Sequence, residues 1–242
     1  LCSKGIRPAG VYIRQGSATV PASESAILAM IKDSSGYSYE SARSLEQELT
    51  FGKAEETFRD KDMMFDRVHM RTLKLIGEDS MYTDLALLLS DQCVHQTRFA
   101  VFQGTDKLVF KNRKELTGSI FSQMDELMEL IDFYNQTRSE IRGLFRRDSR
   151  DYPEDAIREA VLNAYVHRDY SFSSPLLVSM FDDRLEIVSV GGLVKGIELE
   201  DIRLGVSVLR NEALANIFYR LKLIEAYGTG LFKIENAYRE CG

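Results

Sequence analysis

Three polar residues, Glu159, Asn163 and His167, follow one another at intervals of four in an otherwise largely apolar stretch of the sequence. In a helix of 3.6 residues per turn, every fourth residue is displaced by only about 40° around the axis, so the three side chains form one narrow stripe. Asparagine is a neutral oxygen ligand for a hard cation such as Mg2+, which keeps several waters and binds substrate phosphates. A glutamate one turn earlier can hold or deprotonate a water beside that cation. The simpler alternative is a solvent-facing glutamate beside a locally bonded asparagine, because Glu-x-x-x-Asn is a common pattern.

The surrounding sequence predicts the helix that positions this stripe. Asp151 is of a type that caps helices, Pro153 fits a first helical turn, and two acidic residues follow at the positive end of the helix dipole. Apolar residues at intervals of three and four predict the face turned toward the core, namely Ile157, Ala160, Val161, Ala164 and Tyr165.

Two strands and a glycine-rich helix start follow. Residues 176–181 and 185–189 are strand-like runs around a short turn, and the second run leads into Gly191 and Gly192. Further on, Gly228-Thr229-Gly230 precedes an amphipathic helix. A Gly-x-Gly at the N-terminus of a helix offers backbone N–H groups that can meet phosphate.

This order of parts resembles the GHKL ATPases of the gyrase and histidine-kinase type. It is more closely similar to a bacterial family of transcriptional regulators, often labelled RecG-like or ATP-dependent DNA helicase-related, in which a Schlafen-type AlbA-like domain precedes a GHKL-like domain. The segments that carry the resemblance are residues 158–170, 183–193, 207–211 and 223–231. The resemblance implies a cytoplasmic, nucleotide-responsive regulator that binds ATP and Mg2+.

The resemblance also implies roles for individual residues. Glu159 would be the general base, and Asn163 would be the Mg2+ ligand, through the nucleotide. The positions implied to bind the nucleotide are Asn163, His167, Ser189, Gly191, Gly192, Arg210, Asn211, Gly228, Thr229 and Gly230. For His167 the favoured alternative is a contact that ties the helix end to the next strand. For Arg210 and Asn211 it is capping of the helix that begins at Glu212.

One position departs from the GHKL pattern. GHKL proteins carry an aspartate at the end of the second strand, where it accepts a hydrogen bond from the adenine amino group. Ser189 stands near this place, and serine is a weaker acceptor than a carboxylate. Weak ATP hydrolysis is therefore one hypothesis for this domain. The alternative is a degenerate GHKL-like scaffold that forms a homodimer and binds no nucleotide. Helicase activity is not expected, because the sequence has no G-x-x-x-x-G-K-[ST] phosphate loop.

The N-terminal end resembles part of a second module of the same family. Residues 12–17, Tyr-Ile-Arg-Gln-Gly-Ser, are similar to the last strand of the Schlafen AlbA-like domain, and a helix is predicted after them. This implies nucleic-acid binding with Arg14 as a contact, which is a third hypothesis for function. A solvated edge-strand charge is the favoured alternative for Arg14, since most surface charges have no specific partner.

The expected fold class is α+β in three parts. Residues 1–35 would end an AlbA-like domain, residues 36–117 would form a middle winged-helix-like α/β segment, and residues 118–242 would form a GHKL-like α/β sandwich. His167-Arg168-Asp169 looks like a kinase catalytic loop, but the asparagine and the Asp-Phe-Gly that such a loop requires are absent from the sequence. These residues are instead expected to tie the helix end to the next strand.

Within these parts the sequence predicts several further elements. Residues 38–66, which are charged with alternating sign, are predicted to be helical. Helices are also predicted at 83–90 and 118–135, and strands at 99–102 and 105–110. For one basic cluster, a solvated strand edge or a partner for nearby acids is favoured over a phosphate contact. The cluster consists of Arg138, Arg142, Arg146, Arg147 and Arg150.

Composition limits the classes of function. The net charge is −6 and the pI is about 5.3, which argues against strong nucleic-acid binding by this chain alone, so DNA is expected to bind through regions outside it. Three widely spaced cysteines indicate reduced thiols and a cytoplasmic setting. No apolar run approaches the roughly 18 residues of a membrane span. Both ends look like cuts in a longer protein.

Overall fold

The structure, a computed structural model, describes residues 10–24, 26–27, 30–31, 38–142, 144–194, 196–225 and 230–241. In chain order the strands are β1 (Tyr12–Gln15), β2 (Ala18–Pro21), β3 (Thr97–Phe102), β4 (Phe110–Leu116), β5 (Thr137–Arg142), β6 (Phe145–Arg150), β7 (Leu176–Met180) and β8 (Leu185–Val188). The helices are α1 (Gly52–Arg59), α2 (Arg67–Thr72), α3 (Asp84–Leu89), α4 (Ile120–Tyr134), α5 (Glu154–Val166), α6 (Leu199–Arg203), α7 (Glu212–Arg220) and α8 (Gly230–Cys241), with a 3-10 turn at Tyr39–Ser41.

A four-stranded mixed sheet in the order β4-β3-β7-β8 is the framework of the fold, and it confirms the expected α+β class. The β3–β7 pair is parallel, whereas β3–β4 and β7–β8 are antiparallel. A parallel pair needs a long crossover, and here the crossover contains α4, the β5–β6 hairpin and α5. Strands β3 and β4 come before residue 117 and strands β7 and β8 come after it, so the two sides of this position share one sheet.

The core forms where the helices cover this sheet. Alternate residues of β3 and β7, including Phe99 and Val178, are buried, as the two-residue period of a strand requires. The apolar face predicted for α5 is confirmed at Ile157, Val161, Ala164 and Tyr165. The helix at 118–135 is confirmed as α4, whose buried side chains continue the same core.

Some predictions were wrong for identifiable reasons. In residues 38–66 the only helical parts are the 3-10 turn and α1, because the alternating charges supply no continuous apolar face. The apolar side chains that pack on the core are spread along the segment and include Tyr39, Leu49, Phe51, Ala54, Phe58, Met63 and Phe65. The strand predicted at 105–110 begins at Phe110 instead, and its register with β3 runs on to the Thr97–Leu116 pair. The N-cap of α5 is Pro153, with no side-chain cap, so the predicted cap by Asp151 is wrong.

The arginine-rich segment forms the β5–β6 hairpin. Strands β5 and β6 pair in antiparallel register from Thr137–Arg150 to Arg142–Phe145. Arg150 returns to the end of α4, where it forms an ion pair with Asp132 at 2.7 Å. Among the residues that the structure describes, no helix is long and apolar enough to cross a bilayer.

Candidate functional site

A cavity of about 500 Å3 lies against the polar stripe of α5. Its walls come from α5, from the glycine rim (Gly191 and Gly192) that follows β8, from the connection (residues 193–210), and from the start of α8. Small-molecule sites have volumes of roughly 300–1,000 Å3, so the cavity is of the size that holds a nucleotide-sized ligand. Among the predicted site residues, those that line it are Glu159, Asn163, His167, Gly191, Gly192, Arg210 and Gly230.

The polar pair, Glu159 and Asn163, forms one wall of the cavity. Both side chains are half-buried, and Asn163 Nδ2 donates a hydrogen bond to Glu159 Oε1 at 3.3 Å. The helical period therefore places the two residues side by side, as the sequence predicted.

Gly230, the first residue of α8, packs directly on this pair. A Cβ atom added at Gly230 would collide with Glu159 Oε1 and would stand 3.0 Å from Asn163 Nδ2. Glycine lets the start of α8 approach the pair this closely, whereas a larger residue would have to displace the flexible ends of both side chains. The glycine therefore sets the separation between the polar pair and the N-terminus of α8.

An arginine clamp fixes the glycine rim. Gly191 has a φ of +118°, and a Cβ there would lie 3.1 Å from Asp169 Cβ, so both the backbone and the space require glycine. Arg210 Nη2 donates to the carbonyl of Gly192 at 2.6 Å, and Nη1 lies 3.4 Å from Asp169 Oδ2. Asp169 N in turn donates to the carbonyl of Val190 at 2.8 Å. These contacts bind the end of the connection to the end of β8.

His167 ends α5 at the cavity. Its backbone N–H donates to the carbonyl of Asn163 at 3.0 Å, and its ring lines the cavity beside the clamp. Burial, and then the charge of Arg210, lowers the pKa of His167 below its usual range. The imidazole is therefore neutral at physiological pH and can donate or accept a hydrogen bond.

The charged lining is balanced between acids and bases. In the part of the lining that the structure describes, Glu159 and Glu225 face Arg210 and Lys233, and Lys233 Nζ pairs with Glu225 Oε2 at 2.7 Å. The hydrogen bond from Lys233 lowers the pKa of the Glu225 carboxyl. The remaining wall is largely apolar and includes Leu193, Val194, Ile197, Ile202, Val206 and Leu209.

Ser189 and Asn211 do not line the cavity. Ser189 Oγ donates to the carbonyl of Ala164 at 3.1 Å and ties the end of β8 to α5. Asn211 is only 3% exposed, and its Nδ2 donates to the carbonyls of Val166 and Arg168, both at 2.7 Å. Asn211 stands at the N-cap of α7, but its side chain makes no capping hydrogen bond, so the favoured capping role is wrong.

Three predicted site residues remain, namely Gly228, Thr229 and Arg14. Gly228 and Thr229 are outside the described residues. Arg14 is exposed in the β1–β2 hairpin, where its Nε donates to the carbonyl of Gly16 at 3.2 Å. The sequence-based prediction missed Glu225 and Lys233, for which the only available signal was their position in the sequence on either side of Gly228-Thr229-Gly230.

Comparisons with known proteins agree with this geometry. Residues 174–242 match a family model of the HATPase type, described as "Putative ATP-dependent DNA helicase recG C-terminal". The matched part contains the glycine rim, the connection and the start of α8. The match supports the RecG-like and GHKL-like resemblance of the C-terminal part. No curated protein sequence matches the chain.

A solved structure shares the fold over almost the whole chain. The DIP2311 protein from Corynebacterium diphtheriae superimposes with a TM-score of 0.70 at 22% sequence identity, over 94% of this chain. The alignment covers 48% of that protein, so the present chain spans about half of its length. At this identity the similarity establishes the fold alone.

Proposed function

We propose that the cavity binds ATP together with Mg2+, as a GHKL-like nucleotide-binding site. One observation carries the proposal: the polar pair, the glycine rim and the start of α8 are far apart in the sequence and yet enclose one cavity of about 500 Å3. The sequence match of residues 174–242 to a family model of the HATPase type also supports the proposal.

The chemistry of the polar pair fits a magnesium–nucleotide complex. Because Asn163 Nδ2 donates to Glu159, the amide oxygen is the Asn163 atom that is available to a cation. The carboxylate of Glu159 is an acceptor for a water molecule beside that cation. Mg2+ bound there through the nucleotide would neutralise phosphate charge. The described charged lining sums to zero, so a tetra-anionic triphosphate needs such a counter-charge.

The remaining walls fit the other parts of the ligand. The apolar side chains of the connection would cover the base, and the backbone N–H groups at the start of α8 would face the phosphates. Lys233 would exchange its contact with Glu225 for a phosphate oxygen, and Arg210 would hold the rim closed over the ligand.

Calorimetry of Mg-ATP binding to Asn163→Ala tests this proposal. The unmodified chain is expected to bind with a Kd of about 100 μM or below, which corresponds to about 5.5 kcal/mol. Asn163→Ala is expected to bind at least tenfold more weakly. Asn216→Ala is the matched control, because Asn216 is exposed on α7, where its Oδ1 accepts from Arg220, and it does not line the cavity. Absence of heat from the unmodified chain at millimolar Mg-ATP would refute the proposal.

A degenerate scaffold that forms a homodimer without nucleotide is the second candidate. The observation that favours it is the environment of Ser189, whose hydroxyl is bonded to α5 and lies outside the cavity lining, where GHKL proteins place an adenine-binding acid. The same calorimetry separates the candidates. If nucleotide binds, turnover by the unmodified chain compared with Glu159→Ala then decides whether ATP is hydrolysed.

We also propose that nucleotide binding is coupled to transcriptional regulation through the connection. Residues 193–194, 197 and 206–210 line the cavity, so a bound nucleotide would order this segment. The ordering would be transmitted to a DNA-binding part outside the chain. In the full-length protein, DNA affinity is expected to change on addition of Mg-ATP, and this change should be absent in Asn163→Ala.

A further inference from the structure

A carboxylate from the N-terminal half of the chain caps α7. Glu40, in the 3-10 turn, is only 4% exposed. Its Oε2 accepts from the backbone N–H of Ala213 at 3.0 Å, and its Oε1 accepts from that of Leu214 at 2.6 Å. These are two of the otherwise unpaired N–H groups in the first turn of the helix. Asn211, at the N-cap, provides no side-chain cap, so the cap comes from Glu40, which lies 173 residues before Ala213 in the sequence.

The contact joins the buried carboxylate of Glu40 to a first turn in which Leu214 is buried and Ala213 is half-buried. A carboxylate that loses its hydrating water on burial is stable only when other hydrogen bonds replace that water. The two backbone N–H groups supply these hydrogen bonds, and the positive end of the α7 dipole adds a favourable electrostatic interaction. Burial raises the pKa of Glu40, although both backbone hydrogen bonds oppose the shift. Glu212 adds to the rise, and Lys74 opposes it. The burial of Leu214, Ala215, Ile217 and Phe218 holds the body of α7 against the core, and Glu40 fixes its first turn.

The residues just before this first turn build the cavity. Arg210 holds the glycine rim through the carbonyl of Gly192 and the carboxylate of Asp169. Asn211 is bonded to the end of α5 through the carbonyls of Val166 and Arg168. A displacement of the start of α7 must therefore move Arg210, and with it one wall of the cavity.

We propose that Glu40 is a positioning residue for the nucleotide cavity, which acts by holding the first turn of α7 and thereby the Arg210 clamp. The inference rests on the proposed nucleotide binding. It makes the 3-10 turn at Tyr39–Ser41 a physical connection between the N-terminal half of the chain and the cavity. If Glu40 were only a structural cap, its loss would lower stability and leave binding unchanged.

A matched pair of cap deletions separates these roles. Asp66 caps α2 in the same manner, since its Oδ1 accepts from the backbone N–H groups of Val68 and His69, and it does not line the cavity. Glu40→Ala and Asp66→Ala are both expected to lower Tm. Only Glu40→Ala is expected to weaken Mg-ATP binding, by tenfold or more, whereas Asp66→Ala should bind within twofold of the unmodified chain. Glu40→Gln keeps one acceptor oxygen, so it should fold if Glu40→Ala does not and should show an intermediate loss.

A double-mutant cycle with Arg210 provides a measurement that a purely structural cap would not affect. Because Glu40 is proposed to act through Arg210, Glu40→Ala is expected to weaken binding much less in an Arg210→Ala background than alone. Additive losses, or a Glu40→Ala chain that binds ATP as the unmodified chain does, would overturn the proposal.

Hydrogen exchange without ligand makes the outcome independent of the proposed function. In Glu40→Ala, amide exchange is expected to accelerate at Ala213 and Leu214 and also in residues 207–211, with no change in residues 207–211 for Asp66→Ala. If the unmodified chain fails to bind ATP, the proposed function fails. Hydrogen exchange in Glu40→Ala then decides whether Glu40 positions the Arg210 clamp. Unaltered exchange at residues 207–211 in this variant would overturn the positioning role.

Discussion

Replacement of Gly230 by alanine adds one methyl group at the closest approach between α8 and the polar pair. Gly230 begins a helix and is not among the glycines with positive φ, so alanine is compatible with its backbone. Alanine is favoured over glycine inside helices by up to about 1 kcal/mol, and by less at the first position. The free energy of unfolding should therefore change little, and any loss of function reports on the cavity itself.

The size of the effect follows from the distances. The new Cβ would collide with Glu159 Oε1, and it would lie 3.3 Å from Glu159 Cδ and 3.0 Å from Asn163 Nδ2. Ordinary contacts between carbon atoms are about 3.5–4.0 Å, so the carboxylate must retreat by roughly 1 Å. In the proposed site, that displacement would remove the hydrogen bond that Glu159 accepts from a water molecule beside the cation. A charge-assisted hydrogen bond contributes about 1.5–3 kcal/mol, which corresponds to a loss of affinity of about 10- to 150-fold.

Mg-ATP calorimetry and thermal unfolding, applied to Gly230→Ala and Gly52→Ala, test this reasoning. Gly52→Ala is the matched control, because Gly52 also begins a helix, a Cβ there lies 3.5 Å from its nearest neighbour, Asp91 Oδ2, and it does not line the cavity. Gly230→Ala is expected to keep its Tm within a few degrees and to lose at least tenfold in affinity, while Gly52→Ala binds nearly normally. Shortening the carboxylate in the double variant Gly230→Ala/Glu159→Asp should recover part of the affinity. Equal affinities of Gly230→Ala and the unmodified chain would refute the proposed geometry of the polar pair.

Three further predictions concern the rim, the core and the phosphate end of the cavity. Gly191→Ala should lower the free energy of unfolding by about 1–3 kcal/mol in chemical denaturation, because alanine is strained at a φ of +118°. Burial, and then the charge of Arg168, lowers the pKa of His95 to about 4. Between about pH 6.5 and 4, His95 is therefore protonated in the unfolded chain and neutral in the folded one. The free energy of unfolding should fall by roughly 3 kcal/mol across this window as the pH decreases. His95→Gln should reduce this pH dependence in chemical denaturation. Lys233→Met, which frees Glu225 of its partner, should weaken ATP binding by more than adenosine binding when both are measured by calorimetry.

The sequence predicted those parts of the site that depend on local periodicity. Glu159 and Asn163 share one face of α5 because four residues make slightly more than one helical turn, and this is independent of tertiary structure. The strands that lead to the glycine rim were predicted for the same reason, since their apolar runs are bounded by turn residues. The convergence of the polar pair with Gly230 in one cavity was suggested only by the resemblance to a known family, because spacing alone does not bring distant segments together.

The unpredicted contacts are those in which a side chain bonds a distant backbone group. Glu40 accepts from two amides of α7, Asn211 donates to two carbonyls at the end of α5, and Ser189 donates to Ala164. A hydrogen bond to a backbone group does not depend on the residue type at that position. No pattern in the sequence therefore relates Glu40 to Leu214. Capping was expected of Asn211 because local bonding is the usual behaviour of asparagine before a helix.

The segment after α5 shows why positions in the site and in the core must be tested differently. His167 lines the cavity and Asp169 receives the Arg210 clamp, while Arg168 between them is fully buried. Its guanidinium donates to the carbonyl of Ser174 at 2.8 Å and lies over the ring of Tyr170, which anchors the helix end to the approach to β7. Removal of Arg168 would take away the donor to the carbonyl of Ser174 and the contact with Tyr170, so loss of nucleotide binding in Arg168→Ala would reflect disruption of this corner as much as loss of a ligand contact. Asn163→Ala and Gly230→Ala leave the contacts of Arg168 intact. Only variants that change the cavity lining without disturbing this anchor can therefore assign a function to the cavity.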